Sequence, residues 1–186
     1  MSVVACKILP NGYEIASDSI SVRFWTQSKG ENTKFSKLFE VNDVVVGSVG
    51  YAEESSLLQM FCSTRKPAEA TEPAILEFFS EFSSWKKKKA EKSGLDNAYL
   101  IGFQGKVFSI NGWFIQQVLK YEAIGAGMDF ALAALYLDNS AEAAVKVACE
   151  LSIFCEEPIQ IISKTTDAGS AKSSGTSTRA TKNTKK

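Results

Sequence analysis

The chain has 186 residues, 45% hydrophobic and 23% charged, with 21 basic and 21 acidic side chains and no histidine. That length and composition fit one ordinary globular domain with a real core, rather than two independent ones. The absence of histidine excludes Ser-His-Asp and Cys-His catalysis and any zinc site that needs imidazole.

The neutral total is unevenly spread. From Lys164 onward there are six basic residues, Lys164, Lys172, Arg179, Lys182, Lys185 and Lys186, beside one acid, Asp167. The rest is mildly acidic, which argues against a general nucleic-acid binder. The four cysteines show no CxxC spacing, the start of the chain lacks the pattern of a signal peptide, and no apolar run is long enough to span a membrane. The expectation is a cytoplasmic protein with reduced thiols and no membrane partner.

The elements follow in chain order. Val3 to Ile8 is apolar and β-rich, Pro10-Asn11-Gly12 signals a turn, and Tyr13 to Ala16 returns as a second strand. Residues 19–33 read as a strand or loop excursion. Lys34 to Val41 and Val44 to Val49 form a second hairpin around Asn42-Asp43. Gly47-Ser48-Val49-Gly50 leads into a helix over 52–63, and a second helix begins near Pro73 and carries Ile75, Leu76, Phe79 and Phe82 at helical spacing up to Trp85. Lys86 to Lys89 reads as a solvated helix end.

Ala98 to Phe103 and Val107 to Ile110 form a hairpin around Gln104-Gly105, which lacks the features of a phosphate loop. Trp113 to Val118 and Tyr121 to Ile124 extend that sheet. Gly125-Ala126-Gly127 opens a third helix. Asn139 with Glu142 resembles a capping box for a fourth, over 141–155, and Ile159 to Ile162 is a final strand. Beyond Ser163 the chain is Ser, Thr, Ala, Gly and Lys with no large apolar side chain, the composition of a disordered tail. The expected division is a domain over 1–163 and a Ser/Thr/Lys-rich tail over 164–186. Alternating groups of strands and paired helices predict an α+β fold: a four-layer αββα sandwich, two antiparallel sheets each covered by a helical pair.

Several of these residues together are more specific. Ala16-Ser17-Asp18-Ser19, Lys34, Gly47-Ser48-Val49-Gly50 and Ala123-Ile124-Gly125-Ala126-Gly127 resemble the proteasome β-subunit superfamily, above all its HslV-type peptidases, over residues 2 to about 162. In that family of N-terminal nucleophile hydrolases the mature chain starts with the nucleophile. An Asp follows sixteen residues later and a Lys sixteen after that, the separations of Ser2, Asp18 and Lys34.

The chemistry is consistent with the resemblance. Removal of Met1 before the small residue Ser2 exposes an α-amino group, whose ordinary pKa of about 7.7–8.0 suits a general base in a chain without histidine. A serine hydroxyl needs such a base to become nucleophilic. Lys34 is expected near the Ser2 oxygen, with Asp18 fixing the lysine. Gly50 is expected to give a backbone N–H to the oxyanion.

This sequence departs from the family in having Ser rather than Thr as nucleophile and Ala126 where the family carries a helper Ser. Glu150 and Ser152 map only loosely onto the family's downstream acid and hydroxyl. Cys6 reads as core, and Phe78, Phe79, Phe82 and Trp85 as helix packing or a subunit contact. The resemblance implies a peptidase subunit in a homo-oligomeric ring, acting on peptide or unfolded protein, with no cofactor or metal and with a separate ATP-dependent unfoldase as a possible partner. The alternatives are a catalytically inactive assembly subunit and, more remotely, a non-peptide amidase.

Overall fold

The computed structural model describes residues 2–24, 26–28 and 36–165. Strands β1 (Val3–Leu9) and β2 (Gly12–Ser17) form the opening hairpin. Gly12 has a φ of +146°, and a Cβ there would lie 1.8 Å from the Lys164 carbonyl oxygen, so only glycine lets the last strand pass so close. β3 (Ser21–Arg23) and β4 (Thr26–Ser28) form a two-stranded excursion. Residues 29–35, with Lys34 and the expected start of the next strand, lie outside the described residues.

β5 (Leu38–Val41) and β6 (Val44–Val49) follow. Asn42 and Asp43, with φ of 53° and 65°, make the tight turn between them, two residue types that tolerate the left-handed region. Next come helices α1 (Ala52–Cys62) and α2 (Glu72–Ala90), then β7 (Ala98–Phe103), β8 (Lys106–Asn111), β9 (Phe114–Val118) and β10 (Tyr121–Gly125). Helices α3 (Met128–Tyr136) and α4 (Ala141–Leu151) and strand β11 (Gln160–Thr165) complete the order. The Thr71 hydroxyl caps α2 by accepting the Ala74 N–H at 3.4 Å, and Pro73 sits in its first turn.

Two expectations at helix ends and one at the last strand are corrected. The cap of α4 is Ser140, whose Oγ accepts the Ala143 N–H at 3.1 Å. Asn139 instead donates its side-chain amide to the Ala134 carbonyl of α3. α4 stops at Leu151 rather than Cys155, because Ser152 is extended. β11 runs to Thr165, two residues past the expected domain boundary, pairing Lys164 with Tyr13 and Thr165 with Gly12. The expected disordered tail from 166 lies outside the described residues.

The strands form an antiparallel four-stranded sheet in the order β10-β1-β2-β11 and an antiparallel five-stranded sheet in the order β5-β6-β7-β8-β9, so β9 extends the β7–β8 hairpin as expected, whereas β10 does not and pairs with β1 instead. Alternation along each strand sends side chains to two faces, and three apolar clusters result. Val4, Cys6, Tyr13 and Ile15 of the first sheet meet Leu38, Val45, Leu100 and Val107 of the second. On its other face the five-stranded sheet packs Val46, Tyr99, Ile101 and Phe108 against Leu58, Phe61, Phe79 and Phe82 of α1 and α2. The four-stranded sheet packs Val3, Ala5 and Ala16 against Ala131, Ala134, Ala144 and Ala148 of α3 and α4, where small side chains let the helices lie close.

Cys6 is core, as expected, and Phe78, Phe79, Phe82 and Trp85 make ring contacts with Phe61 or with each other inside the α1–α2 layer. Among the described residues no helix is long and apolar enough to cross a membrane.

Candidate active site

The start of β1 is held from three sides. Ser2 is 4% exposed. Its carbonyl oxygen accepts the Gly127 N–H at 3.2 Å. Gly125, at φ +100°, lies so close that a Cβ there would come within 2.3 Å of the same oxygen and 3.1 Å of Val49 Cγ1. This turn therefore needs glycine, and the contact also brings the end of β6 alongside Ser2.

Behind Ser2 stands Asp18, which is fully buried just after β2. Its backbone N–H donates to the Val3 carbonyl at 3.2 Å. Its Oδ1 accepts the Val3 N–H at 3.0 Å and the Lys37 ammonium at 2.8 Å. Its Oδ2 accepts the N–H groups of Ile20 at 3.1 Å and Glu156 at 3.4 Å. A buried carboxylate persists only when paired and hydrogen-bonded, and four donors from four chain segments meet that condition. Asp18 thus ties the first strand to the Lys37 segment and to the connection between α4 and β11.

Lys37 was not singled out from the sequence. It is buried, and its carbonyl accepts the Ser48 N–H at 2.9 Å, which ties its segment to β6. Burial pushes its ammonium below the ordinary value, while the Asp18 charge and hydrogen bond pull the other way. Lys34, the lysine given by the spacing, lies outside the described residues.

Gly50 follows β6 at φ +136° and leads into α1. A Cβ on Gly50 would fall 2.1 Å from Asn97 Oδ1. Asn97, 2% exposed, accepts the Tyr51 N–H at 2.5 Å and donates to the Tyr51 carbonyl at 2.9 Å, Ser48 Oγ at 3.1 Å and Ser55 Oγ at 3.2 Å. Its own backbone N–H donates to Glu54 Oε1 at 3.1 Å. Glu54 also accepts the Asp96 N–H, the Tyr99 hydroxyl at 2.6 Å and the Lys86 ammonium. Lys86 is 1% exposed, so the solvated helix end expected at Lys86 to Lys89 holds only from Lys87 onward.

No protein-family model matches the sequence, and no curated protein matches it. Solved structures match well. The chain is similar to BPH of Thiobacillus denitrificans in complex with epoxomicin, with TM-score 0.80 and 18% identity over 89% of this chain and 99% of that one. It is similar to HslV of Trypanosoma brucei, with TM-score 0.64 and 18% identity over 87% and 98%. It is also similar to the helical assembly of the Anbu complex from Pseudomonas aeruginosa, with TM-score 0.64 and 13% identity over 88% and 81%.

The chain has the proteasome β-subunit fold.

In that fold Ser2, Asp18 and Gly125 come together at one end of the four-stranded sheet, with Val49, the residue before Gly50, in the same group. Ala126 lies between Gly125 and Gly127, exposed, and offers no hydroxyl. Glu150 and Ser152 are not hydrogen-bonded to Asp18. They line a cleft of about 360 Å³ with Ile20, Cys149, Cys155 and Glu156, and two of its walls, Ile20 and Glu156, are the residues that donate to Asp18 Oδ2. Burial pushes the Cys149 thiol up to about 12 and also raises Cys155, with the Asp18 charge acting in the same direction on both. Both cysteines are protonated near neutral pH and are poor nucleophiles there.

Proposed function

We propose that this protein is a proteasome-like N-terminal serine peptidase subunit of a self-compartmentalising homo-oligomeric ring, on a four-layer αββα N-terminal nucleophile hydrolase scaffold. The observation that carries the reading is Asp18: one buried carboxylate holds both the Val3 N–H, next to Ser2, and a buried lysine. With Met1 removed, Ser2 presents a hydroxyl and a free amine on one residue. The amine takes the Oγ proton, directly or through a water, as Oγ attacks the scissile carbonyl carbon. The oxyanion receives the Gly50 N–H. The protonated amine returns its proton to the leaving amine, and water then hydrolyses the Ser2 ester.

The lysine's positive charge lowers the hydroxyl pKa and disfavours protonation of the amine. We assign this role to Lys37, on its ion pair with Asp18, where the spacing alone had suggested Lys34. A cytoplasmic setting, peptide or unfolded-protein substrates and an ATP-dependent unfoldase partner belong to the same reading. So does a structural similarity in which the matched BPH is in complex with epoxomicin.

The test is intact-mass analysis after incubation with an epoxyketone. The expected result is a chain lacking Met1 that carries one adduct, no adduct on Ser2→Ala, and hydrolysis of fluorogenic peptides that Ser2→Ala abolishes. A processed chain that takes no adduct and cleaves nothing would instead identify an assembly subunit. Lys34→Ala and Lys37→Ala, assayed side by side, test the lysine: activity is lost with Lys37 and kept with Lys34.

A further inference from the structure

We propose that Asn97 is the positioning residue of the Gly50 corner, a role that rests on the peptidase reading above. A single N–H serves as an oxyanion donor only if its direction is set before charge develops. Gly50 has no side chain to set it and occupies a backbone region, φ +136°, that it shares with many alternatives. The flanking peptides set the direction instead. On the N-terminal side, Val49 is held in the ladder opposite Ala98. On the C-terminal side, Asn97 grips both polar groups of Tyr51, its N–H at 2.5 Å and its carbonyl at 2.9 Å.

Asn97 is itself fixed from behind. Its backbone N–H and that of Asp96 both donate to Glu54, and the Glu54 carboxylate is held by Lys86 and the Tyr99 hydroxyl. Its other side-chain hydrogen faces Ser48 Oγ and Ser55 Oγ, which share it, so the amide has one way to face. The contact leaves no room for adjustment, since Gly50 touches Asn97 where any Cβ would collide. No other side chain in the described residues bonds to both the Tyr51 N–H and its carbonyl. An aspartate at 97 would keep the acceptor for the Tyr51 N–H but turn an oxygen toward the Tyr51 carbonyl.

The experiment uses the full-length processed protein, fluorogenic peptides and amide hydrogen exchange. Asn97→Ala lowers kcat about 10- to 100-fold with KM changed less than about threefold, because a donor out of line is lost mainly in the transition state. The Tyr51 amide exchanges faster while Ile101 and Phe108 stay protected. Asn97→Asp, the variant of nearly equal volume, shows the same split should the alanine variant fold poorly. Ile75→Val, a change in the α2 core, keeps wild-type kcat. Either Asn97 variant folding with wild-type kcat overturns the proposal and leaves the peptidase reading intact. A wild-type protein that neither cleaves peptides nor takes the epoxyketone removes that reading, and this one with it.

Discussion

At the scale of single residues, Asp18 is where burial and charge are in sharpest conflict. Three backbone N–H groups and Lys37 together make a fully buried carboxylate tolerable. Lys37→Met leaves the carboxylate with its backbone donors but no counter-charge. We expect a loss of about 3 kcal/mol, the lower end for breaking a buried pair, read from the denaturant midpoint. Gly125→Ala puts a methyl against the Ser2 carbonyl at positive φ, and the same measurement should show a loss above about 1 kcal/mol.

Asp18 was legible from the sequence because its interval from Ser2 matches a known pattern. Its lysine partner was not. The interval points to Lys34, which lies outside the described residues, and nothing in the sequence marks Lys37 as buried. The ion pair observed is with Lys37. Thiols give a residue-scale test of pH dependence. Burial raises Cys62 from 9.0 to about 12 and Cys149 likewise, so the folded chain keeps protons that the unfolded chain has released. Stability from these groups is whole below pH 9 and falls as pH rises from 9 toward 12, measurable as a falling Tm across that window.

At the scale of elements, the pair Glu54–Lys86 links α1, α2 and the start of β7. Burial works to raise the Glu54 carboxyl, but hydrogen bonds from Lys86, Tyr99 and the Asn97 and Asp96 amides outweigh it and hold the carboxyl below its ordinary 4.5. A carboxyl held low contributes stability that is present above pH 4.5 and lost as pH falls through its lowered value. Glu54→Gln should flatten the acid limb of a plot of stability against pH, while lowering stability at neutral pH by removing the charge opposite Lys86.

The helices themselves were readable from apolar spacing, but a run of four lysines concealed the buried member. Ile75, Phe79, Phe82 and Lys86 fall at 0, 4, 7 and 11 along one helical stripe, as Glu54, Leu58 and Phe61 do at 0, 4 and 7 on α1. Periodicity therefore carried the signal for a buried pair, and charge clustering hid it. The hairpins were legible from Asn11-Gly12, Asn42-Asp43 and Gln104-Gly105, whose backbone demands few residues meet. The α4 cap was off by one residue because Asn139 is drawn to the end of α3.

At the scale of the whole molecule, the aromatic side chains of α2, read from the sequence as helix packing or a subunit contact, pack between α1, α2 and the five-stranded sheet. Other apolar residues are exposed in their place. Leu151, Ile153 and Phe154 cluster where α4 ends, with Ile153 87% exposed, and such groups mark association surfaces. Native mass spectrometry is expected to find a multiple of the 20.3 kDa chain, and Ile153→Asp to shift it toward the monomer with the fold intact by circular dichroism. A head-to-tail contact closes into a ring or winds into an open helix according to its rotation, so the number of copies reports which of the two this surface builds.

The two sheets also settle where the protein can be handled. Ser17 stands opposite Val4 and Gln160, while Gly12 stands opposite Leu9 and Thr165. The first and last strands therefore leave the sheet at opposite ends, and Thr165 emerges by the Pro10–Gly12 turn, a strand's length from Ser2. An affinity tag fused at the C-terminus leaves residue 2 unblocked. On the peptidase reading proposed above, the same tag placed ahead of Ser2 would turn the amine into an amide and remove the base, so a preparation made that way would show no cleavage whatever the native chain does.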